Sequence, residues 1–158
     1  MDRRLKVAPV ILATLALAGC GGTNIELDLS ASAGSGYPEA ADGICVEVGK
    51  RFAEAQGESP KSFEQAADLM SALVELARQG EEAMAQVDPP PEAEADFQRY
   101  LDARAEAVDQ LERGLEAAQA GDGSAYEKAR EEAIDGAAER KRLAESAGLR
   151  RCAATESA

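Results

Sequence analysis

The chain has 158 residues with 17 basic and 30 acidic side chains, a net charge of −13, and neither histidine nor tryptophan. The missing histidine excludes His-ligated zinc, haem and copper, and any triad with a histidine base. The acidic balance excludes nucleic acid as a partner and disfavours anionic headgroups. The length fits one domain, and a composition rich in Ala and Glu with few aromatics leans helical.

Arg3, Arg4 and Lys6 open the chain as a positive region, and Val7 to Leu17 is apolar except for Pro9 and Thr14. That run is too short to span a membrane, which needs about 20 apolar residues, and it has the flanks of a signal peptide. It ends in Leu17-Ala18-Gly19-Cys20, which resembles the lipobox of bacterial lipoproteins. The resemblance implies a leader, residues 1–19, cut before Cys20. It also implies a diacylglycerol thioether on Cys20, with an N-acyl chain such as palmitate. Two or three acyl chains hold a protein to a membrane where one binds only marginally. The expected location is the extracytoplasmic face of the cell membrane. Cleavage removes Asp2, Arg3, Arg4 and Lys6, a net charge of +2, and takes the mature chain from −13 to −15.

With Cys20 lipidated, Cys45 and Cys152 remain, in a compartment where disulfides form. The natural reading is a pair. The alternative is two unpaired thiols, one in a helix and one in a tail.

Residues 20–37 read as the lipidated cysteine and a Gly/Ser-rich tether, spanning roughly 20–25 Å at ~5–6 Å × √n. Ile25 to Leu29 alternates like a strand, but no second strand offers to pair with it. It is expected to be disordered or loosely docked.

The bundle domain is expected over 38–152. The first helix runs from Pro38 to Gln56 with Ile44, Val48 and Phe52 on one stripe. Gly57 to Pro60 breaks it, with Ser59 as N-cap and Pro60 at the first helical position of the second helix. That helix extends to Val87 along Phe63, Ala66, Met70, Leu73, Ala77, Gly80, Met84 and Val87, and Pro89 to Pro91 ends it. The third starts near Pro91 and carries Phe97, Leu101, Arg104, Val108, Leu111, Leu115 and Ala118. After Gly121 to Gly123, Ser124 and Glu127 form a capping box for the fourth. Tyr126, Ala129, Ala133, Ala137, Arg140 and Ala144 line its face, with Ile134 and Leu143 alongside. Gly148 is the expected C-terminal cap, with Leu149 the apolar residue after it. Residues 153–158 read as a loose tail.

Four amphipathic helices with short connections predict an all-α fold, an antiparallel up-down four-helix bundle behind a flexible tether. That topology brings the start of the first helix and the end of the fourth to one end, near Cys45 and Cys152, so one disulfide closes the bundle. Each helix also carries an interior glycine, Gly49, Gly80, Gly114 or Gly136. Each costs ~0.5–1 kcal/mol against alanine but lets helices approach closely.

Few residues could carry chemistry. Arg104 and Arg140 interrupt apolar stripes. They either turn their heads outward or pair with nearby glutamates, or else form an interior anion or carboxylate site. Glu81-Glu82 and Glu131-Glu132 read as solvated faces. The Glu-x-x-His pairs of a di-iron bundle are absent, and Asp122 to Glu127 is too short for a calcium loop. No phosphate loop and no nucleophile with a base are present, so neither metal nor cofactor nor catalysis is expected. The whole pattern is similar to small helical lipoproteins of high-GC Gram-positive bacteria, with Cys45 early in the domain and Cys152 after a closing Gly-Leu segment; that likeness carries no known activity. The expected role is non-enzymatic binding or bracing of an envelope protein or cell-wall polymer. The alternative is a small-ligand or cation carrier with a site between helices.

Overall fold

A computed structural model describes residues 27–28, 30 and 35–156. The leader, Cys20, most of the tether and Ser157–Ala158 lie outside the described residues. Six helices follow in order: α1 Glu39–Gln56, α2 Phe63–Met84, α3 Glu94–Ala120, α4 Gly123–Asp135, α5 Ala137–Ser146 and α6 Arg150–Thr155.

The expected all-α, up-down arrangement is present. Tyr37, at the entrance to α1, stacks edge-on against Phe97 at the start of α3, ring centroids 5.5 Å apart, and its hydroxyl donates to the Ala147 carbonyl after α5. One end of the bundle therefore holds the entrance to α1, the start of α3 and the exit of α5. At the other end the Phe63 ring lies against Gly121 and Gly123.

The helix ends differ in detail from the sequence reading, for local reasons. Ser62, not Ser59, caps α2: its hydroxyl accepts from the Gln65 N–H at 3.2 Å, and Gln65 Oε1 accepts from the Lys61 N–H at 2.8 Å. Asp122, not Ser124, caps α4, accepting from the Ala125 N–H at 3.0 Å. An aspartate and a serine are equally good caps, and the earlier one lets Gly123 begin the helix. Gly121, at φ 68°, ends α3 with the Asp122 N–H on the Ala117 carbonyl. Gly148, at φ 78°, ends α5 in the same way, with the Leu149 N–H on the Ala144 carbonyl at 2.8 Å and Leu149 fully buried.

Two larger departures matter. The expected fourth helix is two, α4 and α5, which follow one another across Gly136 and both pack on α3. The expected loose tail is not loose from Ala153 to Glu156. Residues 150–155 form α6, which inserts between α1 and α5 and closes the ring of helices. Nothing local caps α6. Asp42 of α1, itself buried, does so from 109 residues away, its Oδ1 accepting from the Arg151 and Cys152 N–H groups at 2.9 and 3.0 Å. A carboxylate there also meets the positive end of the helix.

The core has two halves. One gathers Ile44, Cys45, Val48, Met84, Phe97, Tyr100, Leu143, Leu149 and Cys152, and the other gathers Met70, Leu73, Ala117, Ala118 and Tyr126. α3 packs against α2 on one side and α4 and α5 on the other, so its buried face is wider than the stripe read from the sequence and includes Tyr100 and Gly114. Phe63, placed on an inner stripe, and Ile134, placed alongside one, are exposed, at 45% and 66%. Phe63 lies on the first turn of α2, over the α3–α4 turn, and Ile134 stands on the outer side of α4. Leu27, in the tether, is half-buried against the first core half, and its N–H donates to Gln79 Oε1 at 3.1 Å. The tether is docked at that point.

The interior glycines separate by what a side chain would strike. At Gly114 a Cβ would lie 2.7 Å from Met70 Cε, the free end of a flexible chain; at Gly80 it would lie 2.9 Å from Val48 Cγ2 and 3.3 Å from Arg104 Nη2. Methionine swings aside, whereas valine is stiff at χ1. Gly114→Ala is therefore expected to be neutral or to stabilise by up to about 1 kcal/mol through helix propensity. Gly80→Ala should destabilise by ~1–3 kcal/mol through overpacking. Urea unfolding of the two variants checks this, and equal effects would refute the distinction.

Candidate functional site

Four of the residues singled out in the sequence, Cys45, Cys152, Arg104 and Arg140, converge, while Cys20 lies outside the described residues. Cys45 of α1 and Cys152 of α6 form the disulfide, Cα atoms 5.0 Å apart. Tyr100, fully buried on α3, places its hydroxyl 3.4 Å from Cys45 Sγ. One turn on, Arg104 lays its guanidinium 5.7 Å from the Tyr100 ring centroid, and its Nη1 donates to the Tyr100 hydroxyl at 3.2 Å.

Glu156 follows α6 and reaches into this region. Its Oε2 accepts from Arg140 Nε at 2.7 Å, its Oε1 accepts from the Tyr100 hydroxyl at 3.4 Å, and Arg104 Nη1 lies 3.9 Å from Oε1. The side chains of Arg104, Arg140 and Glu156 are only 12%, 13% and 11% exposed. The two arginines that interrupt apolar stripes thus share one carboxylate, contributed by the segment the sequence reading left as tail. The arginines pair with a glutamate, and their heads are buried with it rather than turned outward. Arg140 Nη2 also donates to the Ala133 carbonyl at 3.3 Å.

Three of the four interior glycines make room for the cluster. A Cβ at Gly80 would crowd Arg104, one at Gly136 would lie 2.8 Å from Arg140 Nη1, and one at Gly49 would lie 3.2 Å from Thr155 Cγ2. Gly80 lets Arg104 lie close to α2, Gly136 lets the Arg140 head fold back over the start of α5, and Gly49 lets the end of α6 approach α1.

Burial works against the charge on Arg104, but the Tyr100 phenol, Glu156 and Glu81 outweigh it and hold the guanidinium above its ordinary range. Burial pushes the Tyr100 phenol up, against the pull of Arg104. It likewise pushes the Glu81 carboxyl up, again against Arg104. Arg104 Nε is buried with no hydrogen-bond partner among the described residues. The anion the cluster holds is the Glu156 carboxylate. It offers no nucleophile paired with a base.

No other region gathers such a cluster among the described residues. Among the described residues no group of acidic or cysteine side chains could hold a metal ion. No described helix is long and apolar enough to cross a membrane. An open groove at the α1–α2 turn, lined by Ala55, Pro60, Lys61, Gln65 and Leu69 among others, mixes polar and apolar surface without buried polar groups. No family model, no curated protein and no solved structure matches this chain.

Proposed function

We propose that the chain is a lipoprotein held to the extracytoplasmic face of the cell membrane by acyl chains on Cys20. Its helical domain serves as a non-enzymatic binding or structural module for an envelope protein or cell-wall polymer. The observation that carries the reading is the buried Cys45–Cys152 pair. Such bonds persist in oxidising compartments and are rare in the cytosol, which agrees with the leader and lipobox ahead of the domain. The acidic surface suits basic or cationic partners.

The test is metabolic labelling with a palmitate analogue. Wild-type protein is expected to take up label and fractionate with membranes. Cys20→Ala is expected to lose the label and to be released or left unprocessed. Normal labelling of that variant would refute the anchor. A second reading, a carrier for small ligands, is favoured by one observation, the paired buried arginines on Glu156.

A further inference from the structure

We infer that Arg104 and Arg140 form an oxyanion site which Glu156 occupies in cis, and which takes a carboxylate or phosphate group from outside when the end of α6 lifts away. The inference deepens the binding reading above and does not depend on the anchor.

The site is under-filled by its own carboxylate. Two guanidinium groups face one acid. Glu81 on α2 adds negative field at Arg104, without an ion pair to it among the described residues. Arg140 holds Glu156 at 2.7 Å, but Arg104 stands off at 3.9 Å and leaves its buried Nε without a partner. A guanidinium binds an oxyanion best with two parallel N–H donors, and Glu156 leaves that mode of Arg104 unused. A tetrahedral phosphate, or a carboxylate free of the α6 backbone, can reach both arginines.

The occupant is placed so that it can leave. Glu156 lies four residues beyond Cys152, and the disulfide and Asp42 fix only the start of α6. Releasing the carboxylate moves Ala154 to Glu156, the end of α6 and the residue after it, while Ala153 stays buried in the first core half and α1 to α5 stay packed. Helix ends open most readily of all regular structure. Gly49 and Gly136 border the space without side chains of their own.

The experiment uses the full chain and its Glu156→Gln variant, which keeps the side-chain volume and removes the charge. The probes are inorganic phosphate and N-acetylglutamate amide, titrated against chloride at constant ionic strength. The variant is expected to bind one probe saturably, about tenfold or more tighter than wild type, because the competing carboxylate is gone. Adding Arg140→Gln should abolish the binding. Preference for phosphate assigns a phosphate ligand, and preference for the glutamate derivative assigns an acidic chain. Failure of the variant to bind either probe overturns the inference, as does equal binding by wild type or by the double variant. Should Glu156→Gln not fold, hydrogen exchange in wild type decides: the Ala154 to Glu156 amides should exchange faster with either probe present, and unchanged exchange overturns the site. None of these outcomes bears on palmitate labelling, so the two proposals fail separately.

Discussion

Cys45→Ser combined with Cys152→Ser is expected to lower the unfolding free energy by up to about 4–5 kcal/mol, with a melting temperature lower by roughly 10–20 °C. The bond closes a loop of 107 residues, and the chain-entropy model assigns such a loop about 4.7 kcal/mol, though the origin of the effect is disputed. The helical circular dichroism of the double variant should survive at room temperature. The apolar faces of α1 to α5 pack against their ring neighbours without the bond, and only α6 is small enough to depend on it. Melting with and without reductant, together with a thiol count on the purified protein, checks this. Two free thiols, or a melting curve indifferent to reductant, would overturn it.

Glu156→Ala is the second large effect. It leaves two mostly buried guanidinium groups without their shared carboxylate. Breaking a buried pair from one side typically costs 3–5 kcal/mol. The lower end, about 3 kcal/mol, is expected here, because the last turn of α6 can open and admit water to the arginines. The denaturation midpoint should fall with little change in slope, as for loss of stability without loss of compactness. A cost below about 0.5 kcal/mol would place the pair among exposed salt bridges, which contribute little, and would contradict the burial of the cluster.

The major helices and their order were legible because each buries a stripe at steps of three and four. Met70, Leu73, Tyr126 and Ala144 lie where that periodicity puts them. Helix α6 was not legible, because its cap is Asp42, 109 residues away, and a segment of six residues has too few turns to show a period. One signal was available. Glu156 stands four residues after Cys152 and so shares its face of a helix. A cysteine facing the core implied a buried glutamate, and two arginines on apolar stripes implied a partner for it. The glycines were readable as points of close approach, but not as the walls of one cluster, since Gly49 and Gly80 lie on two different helices and Gly136 between two others. Phe63 and Ile134 fit the period and are exposed all the same. Periodicity identifies a face, whereas burial depends on whether a neighbour covers it at that height.

The closure of the ring by α6 also sets when the molecule can be finished. Ile44, Cys45 and Val48, in the first described helix, share their core half with Leu149 and with Cys152, 107 residues after Cys45. Contacts between α2 and α3, or α3 and α4, join neighbours along the chain, but those of α1 with α6 join its extremes. A chain lacking α6 thus leaves the inner face of α1 part-covered. Final assembly therefore waits until α1 and α6 are both present, and only then can the Cys45–Cys152 bond close.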